Sequence, residues 1–444
     1  MVTDDETADP SVPHARSRGP GEGPSPGVVQ VYAPEAPVML ARAVETRVVL
    51  GRDAECDIVL DDRRVSRRHA EIERVGAQWR ISDLGSHNGT FVDGVRIDGR
   101  CEAQDSAVVA VGNSLFVLAR DVRRSGGAVA VQAGVVIGPR LRGAWHAIGK
   151  LAATSNVLHL VGETGVGKEL AARHYHAMRC PNAPFIAVNC ATIPALLAER
   201  LLFGARRGAY SGADADREGY LLAANRGVLF LDEIGELPLE VQAKLLRAME
   251  THEVTPLGDS RAHAVELSVC SATHVELRAA VAAGRFREDL YYRLATPAVE
   301  LPPLRAHREE IPWLVDATLR AAGSVRAHAS FVEAALVRPW PGNGRELVRC
   351  VTTAAGMALH DAILKAEHMP EHAGRSIARA SEPNAAPTTP AEAERAAICA
   401  ALEAEGGNVS RAARALGLHR TQLRRWLERN DVDAERFRRR LPKR

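Results

Sequence analysis

Val157-Leu-His-Leu-Val161, running directly into Gly162-Glu-Thr-Gly-Val-Gly-Lys168, decides the fold of the largest part of this chain. The apolar run reads as a buried strand, the glycine-rich stretch as a loop, and the residues from Glu169 as a helix. Strand, loop and helix N-terminus in that order form a cradle for phosphate. The loop amides and the helix dipole attract an anion, and Lys168 reaches the outer phosphates. Downstream, Val228-Leu-Phe-Leu231 ends in Asp232 and Glu233. A strand closing on two acids supplies the other half of such a site, Asp232 to hold Mg²⁺ and Glu233 to polarise an attacking water. Val241, Leu245, Leu246 and Met249 then fall on one helical stripe. The spacing predicts an α/β domain over residues 134–373, mostly helical after Glu309.

Upstream, residues 29–121 alternate apolar and polar positions between Gly and Asp, as in Arg47-Val-Val-Leu50, Asp57-Ile-Val-Leu60, His69-Ala-Glu-Ile72 and Trp79-Arg-Ile81. This period predicts an all-β sandwich. Residues 1–28, punctuated by Pro10, Pro13, Pro20, Pro24 and Pro26, read as a disordered leader. Asp121 to Gly127 reads as a short polar linker, and residues 374–391, rich in Ala, Pro, Ser and Thr, as a second one. Residues 392–444 form a small all-α module. Asn408-Val-Ser410 caps a helix ending near Leu416, Gly417 turns the chain, and a second helix runs from about His419 to Arg429. Ala412, Ala413, Leu416, Leu418, Leu423 and Leu427 make its packing set. Arg420, Thr421, Gln422, Arg424 and Arg425 remain for DNA, where Arg pairs with guanine and Gln with adenine in the major groove.

Of the 444 residues, 46% are hydrophobic and 25% charged, which excludes a wholly disordered or collagen-like chain. No long uncharged apolar run suggests a membrane span, and the acidic N-terminal stretch has no signal-peptide pattern, so a cytoplasmic protein without membrane contact is expected. The 7 cysteines are well spread, which argues against a disulfide framework or a zinc site. The net charge of +2 conceals an asymmetry: from Val409 to Arg444, 11 Arg and 1 Lys face 4 acids, a local +8 that leaves −6 elsewhere. A basic end on a near-neutral body points to nucleic acid, with a solvated charged tail as the alternative.

With Pro184-Phe-Ile-Ala-Val-Asn-Cys190, Gly227-Val-Leu-Phe-Leu-Asp-Glu-Ile-Gly-Glu236, Phe286-Arg-Glu-Asp-Leu-Tyr-Tyr-Arg-Leu294, Leu301-Pro-Pro-Leu-Arg305 and Trp340-Pro-Gly-Asn-Gly-Arg-Glu-Leu347 added, the stretch from Val157 to Leu347 resembles the AAA+ domain of bacterial sigma-54-dependent transcription activators. The resemblance implies an ATPase using Mg²⁺, with Gly162, Glu163, Thr164, Gly165, Val166, Gly167, Lys168, Glu169 and Arg345 at the nucleotide. It gives Asn189 the part of restraining Glu233 and Thr273 that of sensor I. Arg287 and Arg293 become fingers reaching a neighbouring subunit's γ-phosphate, which implies a ring, expected as a hexamer. The alternative for these arginines is a surface ion pair with Glu288 or Asp289. Gly208-Ala-Tyr-Ser-Gly-Ala213 looks like the family's sigma-54-gripping loop, with Tyr210 and Ser211 at the contact positions in place of Phe and Thr. Leu201, Ala205, Arg206, Arg226 and Gly344 also depart from the family pattern. These departures leave open an ATPase acting on a partner other than sigma-54, or a DNA-bound adaptor whose ATPase is vestigial.

Gly51-Arg52, Val65-Ser-Arg-Arg-His-Ala70 and Asp83-Leu-Gly-Ser-His-Asn-Gly-Thr90 resemble the FHA signature. That implies a phosphothreonine-containing partner, with Arg52 and Ser66 on the phosphate, Arg67 assisting and Asn88 on the ligand backbone. His69 would brace the loop and Gly89 permit its turn. The segment from Gly406 to Thr421 looks like the Fis-type DNA-binding domain. The three resemblances together imply an activator on enhancer-like double-stranded DNA that remodels sigma-54 RNA polymerase to the open complex, switched by phosphothreonine.

Overall fold

The computed structural model describes residues 23–132, 134–209, 214–323, 325–358, 363–375, 398, 401–402, 405, 408–416 and 420–429. Tyr210, Ser211, Gly417, Leu418, most of the leader and second linker, and the residues after 429 lie outside them. The chain divides into two compact units, meeting between Ser376 and Ile377.

In the first unit the N-terminal residues form a sandwich. One sheet has six strands, with Gly27–Ala33 between Ala36–Ala43 and Ser114–Ala119, followed by Val108–Val111, Thr90–Val92 and Val95–Arg96. The facing sheet has five, built around Arg47–Gly51, Ala70–Val75 and Gln78–Asp83. Trp79, Ile72, Ile81, Leu50, Phe116 and Leu118 fill the space between them. The first strand begins at Gly27, inside the stretch read as leader, because Gly27 and Val28 pair with Ala119 and Leu118 and Val28 packs into the sandwich core. Asp57-Ile-Val-Leu60 yields only a two-residue strand, Ile58–Val59.

The second domain carries a parallel sheet in the order Phe185–Asn189, Val228–Asp232, Ser268–Thr273, Val157–Val161, Ala298–Glu300. Val228–Leu231 and most of Val157–Val161 are apolar, as strands covered on both faces require. The helix Leu239–Thr251 buries Val241, Leu245, Leu246 and Met249 against it. Helices Ile311–Ala322, Ala329–Leu336 and Asn343–Met357 form a lid.

The sandwich is not a tethered bead. Val29, Val31, Val108, Ala110, Leu115 and Val117, on the outer face of its six-stranded sheet, belong to one buried core with Ile311, Val315, Phe331, Val332 and Leu336 of the lid. Each of these valine, leucine, isoleucine and phenylalanine side chains removed from water contributes about 1.5–3 kcal/mol. Tyr32 Oη donates to the Ala327 carbonyl at 2.6 Å, and Ser125 Oγ to the buried Glu309 carboxylate at 3.0 Å. Burial, with the charges of Asp316 and Glu35 adding to it, pushes the Tyr32 phenol up to about 12. The polar stretch after Asp121 is therefore part of the fold: Val122 is buried in this shared core, and Asp121 caps the turn Val122–Arg124.

The second unit contains helices Val409–Ala415 and Arg420–Arg429. Asn408 Oδ1 accepts the Ser410 and Arg411 amides, the cap its sequence predicts. Ala412, Ala413, Leu423 and Leu427 pack with Ile398 and Leu402.

Candidate nucleotide cleft and phosphate-reading loops

A cleft of about 570 Å³ opens between the parallel sheet and the lid. Thr164 to Leu170 line one end with Asn189, Asp232 and Glu233. Val135, Val136, Leu141, Trp145, Leu304 and Leu314 make the other end apolar, a slot of the kind a flat base occupies. Gly165 and Gly167 take positive φ of 80° and 100°, so the loop closes in a way side-chain-bearing residues resist. At Gly165 there is also no room, since a Cβ would lie 2.1 Å from the Gly342 carbonyl.

Charged groups in this cleft hold one another. Lys168 is buried, donates to the Gly162 carbonyl at 2.9 Å, and stands 3.6 Å from Glu233 Oε1. Glu233 sits at φ 53°, a left-handed conformation that turns its side chain away from the strand line. Its Oε2 accepts from His274 Nδ1 at 2.6 Å and from the His274 amide at 3.3 Å. Burial raises the Glu233 carboxyl, but the His274 bonds and Lys168 outweigh it and hold the group below its ordinary range. Asp232 is pushed up, chiefly by burial, with Lys168 opposing and Glu233 adding to the rise. Glu163 takes a two-pronged bond from Arg305 at 2.7 and 2.5 Å, which lowers its pKa despite burial. Asn343 is fully buried at φ 52°. Its Nδ2 donates to Glu163 Oε2 and the Thr164 carbonyl, and its Oδ1 accepts the Leu304 amide. The Arg345 amide donates to Gly165 O at 3.3 Å.

The cleft fits a hydrated divalent cation better than a protein cage. Asp232 faces it with one oxygen used only by the neighbouring Glu233 amide, and among the described residues no cluster of three or more metal-binding side chains exists. Mg²⁺ bound through one carboxylate, phosphates and water needs no more. Glu169 also lines the cleft, and its Oε1 accepts from Arg173 one turn on, at 2.7 Å.

The remaining expected residues make local contacts. Asn189 lines the cleft, but its Oδ1 accepts the Ala191 amide and caps the turn Cys190–Thr192. Thr273 is buried, its Oγ1 accepting the Val275 amide. Gly344 opens the cleft wall beside Arg345. Arg287 is bonded to Asp289 at 3.1 and 2.7 Å, Arg293 reaches the Met249 carbonyl at 3.4 Å, and neither lines the cleft of its own chain.

At one end of the sandwich, Arg52, Ser66, Arg67 and Asn88 share a loop cluster. The Arg52 amide donates to the Ser66 carbonyl, the His87 amide to Ser66 Oγ at 3.1 Å, and Asn88 Nδ2 to the Arg64 carbonyl at 2.7 Å. Buried His69 braces the loops: Nδ1 accepts the Ser66 amide at 3.0 Å, so Nε2 carries the proton and donates to Gly89 O at 3.2 Å. Burial lowers its pKa, with the Gly89 bond partly opposing. Asp83, without an assigned part in the sequence reading, accepts the Gly85 and Ser86 amides and the Ser86 and Thr90 hydroxyls. In the second unit, Arg420, Thr421, Gln422, Arg424 and Arg425 are exposed along the second helix, and Leu423 and Leu427 face the core.

Residues 136–300 match the sigma-54 interaction domain, residues 48–112 the FHA domain, and residues 389–429 the bacterial regulatory protein, Fis family. Over 306 residues the chain is 37% identical to the response regulator protein PilR of Pseudomonas aeruginosa, covering 66% of this chain and 69% of that one. The chain belongs to the sigma-54-dependent regulators. As such a regulator, it is also similar to the transcriptional regulatory protein GlrR of Escherichia coli (strain K12), 38% identical over 305 residues, covering 65% of this chain. It spans 66% of GlrR, just under two thirds of that relative's length. Among solved structures, NtrX from Brucella abortus in complex with ATP is 28% identical, covering 69% of this chain and 70% of that one, with a TM-score of 0.48. No helix of this regulator is long and apolar enough to cross a membrane, among the described residues. Reading its sequence did not single out His274, Arg305, Asn343 or Asp83 for roles. Only Asn343 carried a local signal, since Asn tolerates a left-handed backbone better than most residues.

Proposed function

We propose that this regulator hydrolyses ATP in a ring of subunits to remodel sigma-54 RNA polymerase from closed to open complex, and that a phosphothreonine protein bound to its FHA domain sets that activity. The observation that carries the reading is the cleft itself. A glycine-rich loop at a helix N-terminus, a buried lysine, and an aspartate–glutamate pair at an adjacent strand end face one cavity with an apolar slot for a base. Asp232 would hold Mg²⁺, which neutralises charge on the phosphates. Lys168 moves to the outer phosphates, Glu233 takes a proton from the attacking water, and Arg345 closes from the lid. Arg287 and Arg293, exposed on a different face from the cleft, are placed to serve a neighbouring subunit once the Asp289 pair opens. Tyr210 and Ser211 would contact sigma-54. Arg420, Thr421, Gln422, Arg424 and Arg425 would hold enhancer-like DNA, the arginines doubling as phosphate contacts.

Arg52 and Ser66, with Arg67 and Asn88, would take the phosphothreonine. The central strands of the sandwich's six-stranded sheet bury their outer face against the lid, and the lid residues Asn343 and Arg345 bond the phosphate loop. Occupancy of the FHA loops thus has a packed route to the nucleotide. Co-elution of the full chain with sigma-54 tests the reading: a complex that needs an ATP transition-state mimic is expected. No complex from a chain that hydrolyses ATP would overturn the sigma-54 assignment and favour another partner.

A further inference from the structure

We infer that His274 is the residue that positions Glu233 for water activation, gripping one carboxylate oxygen while the other is left to the reaction. The inference rests on the proposed ATPase reading. Val228–Asp232 and Ser268–Thr273 are adjacent parallel strands, with Leu231 paired to Ser271. Glu233 and His274 are the residues just beyond their ends; continuing the register sets Glu233 level with Thr273, and the left-handed turn at Glu233 accompanies its contact with the next residue, His274. Glu233 Oε2 receives two donors from this one residue, the imidazole Nδ1 at 2.6 Å and the main-chain amide at 3.3 Å. To donate, Nδ1 must carry the proton. Two donors on one oxygen fix the carboxylate plane more firmly than a single bond.

Glu233 Oε1 is held differently, by a 3.6 Å approach of Lys168 Nζ. Lysine is a point charge that phosphate oxygens compete for, whereas His274 is not among the residues lining the cleft. When Lys168 turns to the β- and γ-phosphates, Oε1 is released and Oε2 is not. Oε1 then accepts the proton as the water oxygen bonds to the γ-phosphorus. The bond to the bridging oxygen breaks with its electron pair leaving on ADP, and the proton passes to solvent with the product phosphate. The Thr273 hydroxyl, one residue before His274, donates instead to the Val275 carbonyl at 3.4 Å.

The test compares wild type, His274→Ala, His274→Asn and Glu233→Gln as full chains in steady-state ATP hydrolysis. His274→Ala should lower kcat by about tenfold or more, within the range for a mispositioned general base, with KM for ATP changed less than about twofold. His274→Asn keeps an N–H donor and should recover most of the rate. A His274→Ala chain with wild-type kcat, or with KM shifted as far as kcat, would overturn the inference. Thermal unfolding of Glu233→Gln, His274→Ala and the double variant reads the contact without turnover. Non-additive midpoints are expected and additive ones contradict it. A wild type with no turnover above Glu233→Gln, yet a non-additive cycle, would refute the ATPase reading and leave the contact standing.

Discussion

The sandwich loop cluster and the α/β cleft are both proposed phosphate sites, and their cations are in opposite states. Arg52 and Arg67 are exposed and make no side-chain bond among the described residues, while the backbone beneath them is tied by Ser66, His69, Asp83 and Asn88. Lys168 and Arg305 are already engaged, with Glu233 and Glu163. A site whose donors are free and whose loops are braced binds without rearrangement. A site whose charges are paired internally must exchange one partner for another, so binding there also changes the positions of the groups that react. That suits a recognition module and an ATPase respectively.

The strongest way to break the comparison is at Glu233. Glu233→Gln should reduce turnover by about 10²–10⁴-fold, the usual worth of a general base. ATP affinity should hold or rise, because Lys168 loses its internal competitor. Weaker ATP binding in steady-state and calorimetric measurement would contradict the paired-charge account. Next, Arg52→Ala with Ser66→Ala should weaken a phosphothreonine peptide by about 10²–10⁴-fold, from the loss of two bonds to a charged group worth about 1.5–3 kcal/mol each. Titration calorimetry reads this, and an unchanged affinity removes the assignment.

Acid should then strike both regions through buried histidines. Burial holds His159 down to about 4, with the Ser271 bond partly opposing, and lowers His69 as well. The unfolded chain takes up these protons near pH 6.5 and the folded one does not. Stability is therefore full above that value and falls as pH drops from there toward about 4. Thermal midpoints between pH 7 and 4.5 should show the decline, and His159→Gln should flatten part of it. The smallest effect is at the seam: Tyr32→Phe removes the bond to Ala327 and should destabilise the first unit by about 1 kcal/mol in denaturant unfolding.

Much of this was legible in the chain. Glycine-rich loop, paired acids and FHA signature are local patterns, and each names its own chemistry. The lid-facing sheet left a trace that the sandwich reading passed over: Ser114-Leu-Phe-Val-Leu-Ala119 and Val108-Val-Ala-Val111 are apolar without alternation, the mark of strands covered on both faces. His274 left none. Its meeting with Glu233 comes from the register of two strands far apart in sequence, and a histidine after a strand is unremarkable on its own. Asn189 shows the limit of a single local pattern, since an Asn at a strand end also suits capping the turn that follows, and its Oδ1 does so here.

The most direct test of the account is ATP turnover by the full chain with and without a saturating phosphothreonine peptide, beside the Arg52→Ala, Ser66→Ala variant. The shared core of sandwich and lid predicts that the peptide changes turnover several-fold in wild type and leaves the variant unmoved. Equal turnover in wild type, with peptide binding confirmed by calorimetry, would contradict it.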